Sequence, residues 1–265
     1  MTWIYSRKFL IFEGQMIKAI ILAAGRGSRL GNLTNDRPKG MVAFAGKPLL
    51  EWQMKALREA GISDITIVKG YKEEAIPFNV NYVENKRWQT TNMVASLLCA
   101  REILRNNDCI ISYADIIYPA NPIDDLINST GGIRISFDTN WKILWQKRFN
   151  DPLSDAETFQ TDSAGILTEI GNKPKKYEEI SGQYMGLLYI SKEGWQSIES
   201  LLSSLQQQEI DALDMTTLLR KLIHSGVIIS TVPYHGAWGE IDSGSDLATM
   251  SLDDALLKEL HKNDR

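Results

Sequence analysis

From residue 17 onward, short apolar runs alternate with longer stretches whose apolar positions recur every three or four residues, a pattern that predicts alternating strands and helices. The run 17–23 reads as a buried strand, a polar glycine-rich loop covers 24–38, a helix follows Pro48, and strands fall at 64–68 and 80–84. A helix over about 91–104 carries Val94, Leu97, Leu98 and Leu104 on one stripe, with Thr90 or Thr91 placed to cap its first turn, and a strand at 109–114 follows. The second half predicts a strand at 132–138, an aromatic and basic stretch at 141–149, and two or three antiparallel strands within 156–190. Helices at 191–206 and 213–224, a strand at 226–232 and a C-terminal helix complete the pattern. This order predicts an α/β protein with a mixed, mostly parallel central sheet covered by helices and a small antiparallel lobe. Residues 1–15 match no element of the pattern and read as an extension outside the fold. Residues 16–262 read as a single domain.

Composition narrows the classes of function. The chain has 265 residues, 43% of them hydrophobic and 23% charged, which excludes a disordered or collagen-like protein. A net charge of −4 supplies no field for a polyanion, so neither nucleic acid nor a membrane surface is expected as a partner. Cys99 and Cys109 lie in no CxxC or Cys/His cluster, which argues against structural zinc and a disulfide framework and fits a reducing, cytoplasmic compartment. No apolar run approaches the ~18 residues that a membrane span needs.

The first candidate chemistry is the segment Leu22-Ala23-Ala24-Gly25-Arg26-Gly27-Ser28-Arg29-Leu30, directly after the first strand. Glycines at the carboxyl edge of a parallel sheet let backbone N–H groups approach a phosphate, and Arg26 and Arg29 add positive charge. A strand-to-helix turn with solvated arginines would look similar. A dinucleotide site needs an acidic residue roughly 20 positions on at the end of a second strand; here the next strand starts only near Asp64. A P-loop is excluded because Pro48 stands where the magnesium-binding Ser or Thr belongs.

Two further pieces follow, Arg37-Pro38-Lys39 and Gly46-Lys47-Pro48-Leu49. The three together resemble the N-terminal signature of the nucleotidyltransferases that join an NTP to a phosphorylated small molecule. The resemblance implies a three-layer, Rossmann-like nucleotidyltransferase fold, with a nucleotide-binding half over about 16–118 and an acceptor-binding half over about 119–262. It further implies that residues 22–29 wrap the triphosphate and that Arg29 and Lys39 neutralise phosphate charge during transfer.

Carboxylates for a hard cation can be sought at strand ends. Asp115 ends the strand at 109–114, at the sheet edge where ligands bind, and magnesium takes oxygen ligands from one or two such carboxylates. The family's magnesium aspartate stands at this strand end, which implies Asp115 as a ligand. The resemblance implies a second acidic residue at Trp238-Gly239-Glu240-Ile241-Asp242, with Asp242 the closer match and Glu240 second. Asp242 or Ser243 would also serve simply as a helix cap.

The stretch Thr90-Thr91-Asn92-Met93-Val94-Ala95-Ser96-Leu97 resembles the bacterial phosphocholine cytidylyltransferase-like branch. That resemblance implies Asn92 and Ser96 as contacts to a pyrimidine or its ribose, although Asn92 suits a helix cap equally well. It implies CTP and a small phosphorylated or phosphonate head group as partners, with phosphocholine, an aminoalkyl phosphonate and a phosphorylated amino acid all open. A role in modifying cell-surface polysaccharide or lipid head groups would follow, with a homodimer left open. Trp141, Trp145 and Tyr184 are candidates to hold a cationic acceptor over their rings, with Asp138, Asp155 or Glu157 available to add negative charge and Glu240 also at the acceptor. Tryptophans four apart also anchor helices against a core. The implied reaction is attack of an acceptor phosphate oxygen on the α-phosphorus of CTP with loss of pyrophosphate, which requires no protein nucleophile and no role for His224, His235 or His261. A sugar-1-phosphate nucleotidyltransferase using UTP or dTTP and a non-catalytic nucleotide-binding protein are the alternatives.

Overall fold

The structure is a computed structural model that describes residues 16–262; the expected extension at 1–15 lies outside the described residues. Strands β1 (Lys18–Leu22), β2 (Ile65–Lys69), β3 (Asn81–Glu84), β4 (Cys109–Tyr113), β5 (Ile133–Asp138), β6 (Gln183–Ile190) and β7 (Ser230–Tyr234) form one sheet in the order β7-β5-β6-β4-β1-β2-β3. All neighbours run parallel except β6, which is antiparallel to both β4 and β5.

The sequence of β1 explains the layering. Ala19 and Ile21 point to one face and Ile20 and Leu22 to the other, and all four are buried, so each face needs its own cover. Helices Leu49–Glu59, Asn121–Asn128, Gly244–Met250 and Asp254–Leu260 cover the Ile21 face. Helices Met93–Cys99, Arg101–Asn106, Lys192–Ser203 and Met215–His224 cover the Ile20 face. The result is the expected three-layer mixed α/β fold.

Several details differ from the expectation. The helix at 91–104 is broken at Ala100, whose N–H bonds back to Leu97 and Leu98 before Arg101–Asn106 starts. The aromatic and basic stretch is a helix, Trp141–Arg148, and the C-terminal helix is two, the second capped by Asp253. The helix Asn121–Asn128 was not foreseen; Pro122 in its first turn reads locally as a turn residue but also suits a helix start. Strand β7 begins later than the apolar run 227–229 suggests and includes Pro233, tolerated because β7 is an edge strand paired only with β5.

Two small pairings position the site. Phe159–Thr161 and Leu167–Ile170 form the antiparallel lobe anticipated in 156–190. Ile116–Ile117 pairs with Gly239–Glu240, and Ile241 N–H donates to the Asp115 carbonyl at 2.9 Å, so the late acidic segment lies beside the end of β4. In β6 the register shifts between Tyr184 and Leu188. Gly186 there has φ +76°, and a Cβ on it would lie 2.7 Å from the Tyr113 ring; this bulge needs glycine and shapes the wall beside Asp115.

Candidate active site

Lys39, from the short turn after Pro38, extends its ammonium into a group of carboxylates from distant segments. It donates to Asp115 Oδ2 at 2.7 Å and to Asp242 Oδ1, and Arg29 Nη2 lies 2.9 Å from the same Asp242 oxygen. Burial works against the charge on Lys39, but the two aspartates outweigh it and hold the ammonium above its ordinary pKa. The approach of Lys39 explains the second loop glycine: Gly27 has φ +74°, and a Cβ on it would sit 2.7 Å from Lys39 Cβ.

Asp115, Glu240 and Asp242 each place an oxygen within 4.8 Å of the others. The Asp115 Oδ1 atom is buried with no hydrogen-bond partner. An all-oxygen carboxylate set with an orphaned buried oxygen fits a hard divalent cation. Burial, together with the Asp242 and Asp115 charges, pushes the Glu240 carboxyl up to about 8 against the pull of Arg148 and Lys39.

Arg148 ties this cluster to the protein, and nothing in the local sequence pointed to it. Its side chain is completely buried, with Nη1 donating to Glu240 at 2.6 Å, Nε to Asp246 at 2.9 Å, and Nη2 3.6 Å from Asp242. Asp246 in turn accepts from the backbone N–H groups of Asp242 and Ser243 at 3.1 and 2.9 Å. The capping box that starts Gly244–Met250 is thus continuous with the clamp on the metal-type carboxylates. The signal available in the sequence was an arginine in the last turn of an aromatic helix, which reads equally as a solvated residue opposite the helix dipole.

Two cavities meet at Asp115. One, of about 230 Å³, is lined by Leu22, Ala23, Ala24, Gly25 and Gly27 of the loop, by Lys39, and by Trp88, Thr91, Asn92, Met93 and Ser96. The other, of about 360 Å³, is lined by aromatic residues Tyr113, Trp145, Phe159, Tyr184 and Trp238 and by Asp155, Glu157 and Asp214, with Glu240 and Asp242 beside Asp115. Burial, with Asp214 and Asp155 nearby, raises the Glu157 carboxyl; Thr216 and Arg220 oppose this.

Most of the sequence-derived candidates therefore converge, and a few do not. Arg26 turns away to Asn35 Oδ1 at 3.1 Å and the face of Tyr71, and neither it nor Ser28 lines either of these two cavities. Arg29 lines the larger cavity rather than the loop side. Trp141 does not line the larger cavity: it is 5% exposed and packs against Trp145 and Tyr177, the helix-anchor arrangement. Trp145 alone of that pair reaches the cavity, with its indole N–H on Asp155 at 3.1 Å. Glu240 lines the larger cavity and belongs equally to the carboxylate cluster. Asn92 caps its helix through Met93 N–H while lining the smaller cavity. Trp88, Arg148 and Asp214 were missed.

Comparison with known proteins agrees with this geometry. Residues 19–158 match the MobA-like NTP transferase domain. The chain is 36% identical over 248 residues to the CTP:phosphoglutamine cytidylyltransferase of Campylobacter jejuni, covering 87% of this chain and 98% of that protein. It is 37% identical over 119 residues to the choline-phosphate cytidylyltransferase of Streptococcus pneumoniae, covering 43% of this chain and 52% of that protein. Among solved structures, the inositol-1-phosphate CTP transferase from T. maritima superposes with a TM-score of 0.76 at 20% identity, over 95% of this chain and 99% of that one. The fold, the matched domain and the near full-length relative agree: the chain is a member of the MobA-like NTP transferase family.

Proposed function

We propose that the protein is a magnesium-dependent cytidylyltransferase that transfers CMP from CTP to a small phosphorylated or phosphonate acceptor bearing an ammonium group. The observation that carries this reading is the meeting of two chemically different cavities at one carboxylate cluster. The smaller is built of close-approach backbone and a lysine and suits a nucleotide. The larger is aromatic and acidic and suits a small cation-bearing acceptor. The choice of cytidine follows the relatives, whose names specify CTP or a cytidylyl group.

In this reading residues 22–27 hold the triphosphate, and Lys39 and Arg29 neutralise charge on the phosphates as the acceptor oxygen attacks the α-phosphorus and pyrophosphate leaves. Asp115, Asp242 and Glu240 would hold magnesium, which would supply Lewis-acid neutralisation of phosphate charge. The attacking phosphate is already anionic near neutral pH, so no side chain is required to activate it. Asp155, Glu157 and Asp214, with Trp145 and Tyr184, receive the ammonium end. Among the described residues no helix is long and apolar enough to cross a membrane; a cytoplasmic location and action on soluble head-group precursors suit CTP as donor.

The test is pyrophosphate release with magnesium, pairing CTP, UTP and dTTP with phosphocholine, 2-aminoethylphosphonate, phosphorylated glutamine and glucose 1-phosphate. Release with CTP and an ammonium-bearing acceptor is the expected result; release only with the sugar phosphate overturns the acceptor assignment. Glu157→Gln is expected to raise the acceptor KM about tenfold or more with little change in the KM for CTP. Because the Glu157 carboxyl is raised, acceptor KM should climb as pH falls through that pKa and protonation removes the charge. A flat acceptor KM in both experiments would remove Glu157 from the acceptor site.

A further inference from the structure

The turn after β3, at the carboxyl edge of the sheet, holds a side chain that the proposed transfer does not use. Asn85 is 4% exposed, and its backbone N–H donates to Lys69 O at 2.8 Å, which fixes it at the carboxyl edge of the sheet. Its Oδ1 accepts from Arg87 N–H at 3.0 Å. Its Nδ2 donates to Thr91 Oγ1 and to Ser96 Oγ, each at 3.0 Å. Turning the amide over would set its NH₂ against the Arg87 N–H, donor to donor, so the orientation is fixed.

That orientation decides what the two hydroxyls can do. Thr91 accepts from Asn85 and passes its own hydrogen to the Arg87 carbonyl at 2.8 Å, so its hydrogen is committed. Ser96 also accepts from Asn85, but among the described residues its hydroxyl hydrogen meets no acceptor. Ser96 lines the smaller cavity, with Thr91 and Asn92 around it. A buried hydroxyl whose oxygen is already hydrogen-bonded presents its hydrogen to whatever occupies that cavity.

We propose that Asn85 is a positioning residue that makes Ser96 a hydrogen-bond donor toward the base, and that this donor reads N3 of the pyrimidine. The inference rests on the nucleotide assignment of the smaller cavity. Cytosine offers an unprotonated N3, an acceptor that matches the donor. Uracil carries a hydrogen on N3; pairing it with the remaining lone pair of Ser96 Oγ would turn the serine hydrogen away from the base, where it meets no acceptor among the described residues, so a buried donor goes unpaired. Selection of cytidine over uridine is then set by Asn85, a residue one hydrogen bond removed from the base.

The experiment is calorimetric binding of CTP and of UTP, with magnesium, to the full chain as wild type, Ser96→Ala and Asn85→Asp, with a thermal melt of each to verify folding. Wild type is expected to bind CTP about tenfold or more tighter than UTP, and Ser96→Ala to bring the two within about threefold. In Asn85→Asp the carboxylate takes the Ser96 hydrogen, so the serine oxygen faces the base as an acceptor and the preference is expected to move toward UTP. Equal binding of the two nucleotides by wild type, or an unchanged ratio in the folded Ser96→Ala variant, overturns the inference while the transfer reading stands. Failure of wild type to bind either nucleotide overturns both. An unchanged ratio in folded Asn85→Asp overturns the part given to Asn85; should that variant fail to fold, Asn85→Ala, which removes the donor to Ser96 Oγ, is read in the same way.

Discussion

Asp115→Asn is expected to lower kcat by about 10²–10³-fold, roughly 3–4 kcal/mol of transition-state stabilisation, with little loss of folded stability. The substitution keeps the shape of the side chain. It also keeps the backbone carbonyl that accepts from Ile241 N–H, which joins the two halves of the site. What it removes is one negative charge from the carboxylate cluster and from the partnership with Lys39. Turnover measured at saturating CTP and acceptor, beside a thermal melt, separates the two effects. A variant that turns over within about threefold of wild type would strip Asp115 of its proposed part in holding the metal.

Arg148→Met carries the largest expected cost in stability, about 3–5 kcal/mol, because it leaves Glu240 and Asp246 buried without their cation. The pH dependence has a definite sign. Burial already raises the Glu240 carboxyl and loss of the guanidinium removes what opposes this, while Asp246 loses a partner that lowers its own, so the variant's folded form binds protons more readily than that of wild type. Stability of the variant should therefore improve relative to wild type as pH falls, and the deficit should be largest on the alkaline side. Urea denaturation at several pH values reads this directly. Arg148→Lys should recover only part of the loss, since one ammonium cannot span Glu240 and Asp246 as the planar fork does. Equal stabilities of wild type and Arg148→Met across the pH range would mean that the clamp carries no weight.

The parts of the site that were legible in the sequence are those fixed by local geometry. Gly25, Gly27 and Asp115 follow strands immediately, and a residue just past a parallel strand must lie at the sheet's carboxyl edge whatever the rest of the chain does. Lys39 was legible only through its resemblance to a known signature, because its contact with Asp242 joins segments far apart in the chain. Trp141 and Arg148 were beyond reach for a different reason. Both lie on one helix, and which of its residues enters the core, the cavity or the carboxylate cluster depends on how that helix is rotated against Gly244–Met250 and the strands beneath it. Periodicity does not define that rotation, since the helix carries aromatic and basic residues around its whole girth. Asn85 was invisible for a third reason: its importance lies in the direction of its hydrogen bonds, and composition says nothing of direction.

The reversed strand β6 has a consequence for how the molecule can be assembled. It lies between β4 and β5, yet it is made after both, and the segment that matches the family domain ends at residue 158, before it begins. Until residues 183–190 emerge from the ribosome, β4 and β5 each present an unpaired edge, and the Tyr184–Gly186 wall beside Asp115 does not exist. The amino-terminal half therefore waits as an open template during synthesis, and the central strand that closes it arrives from the other half of the chain.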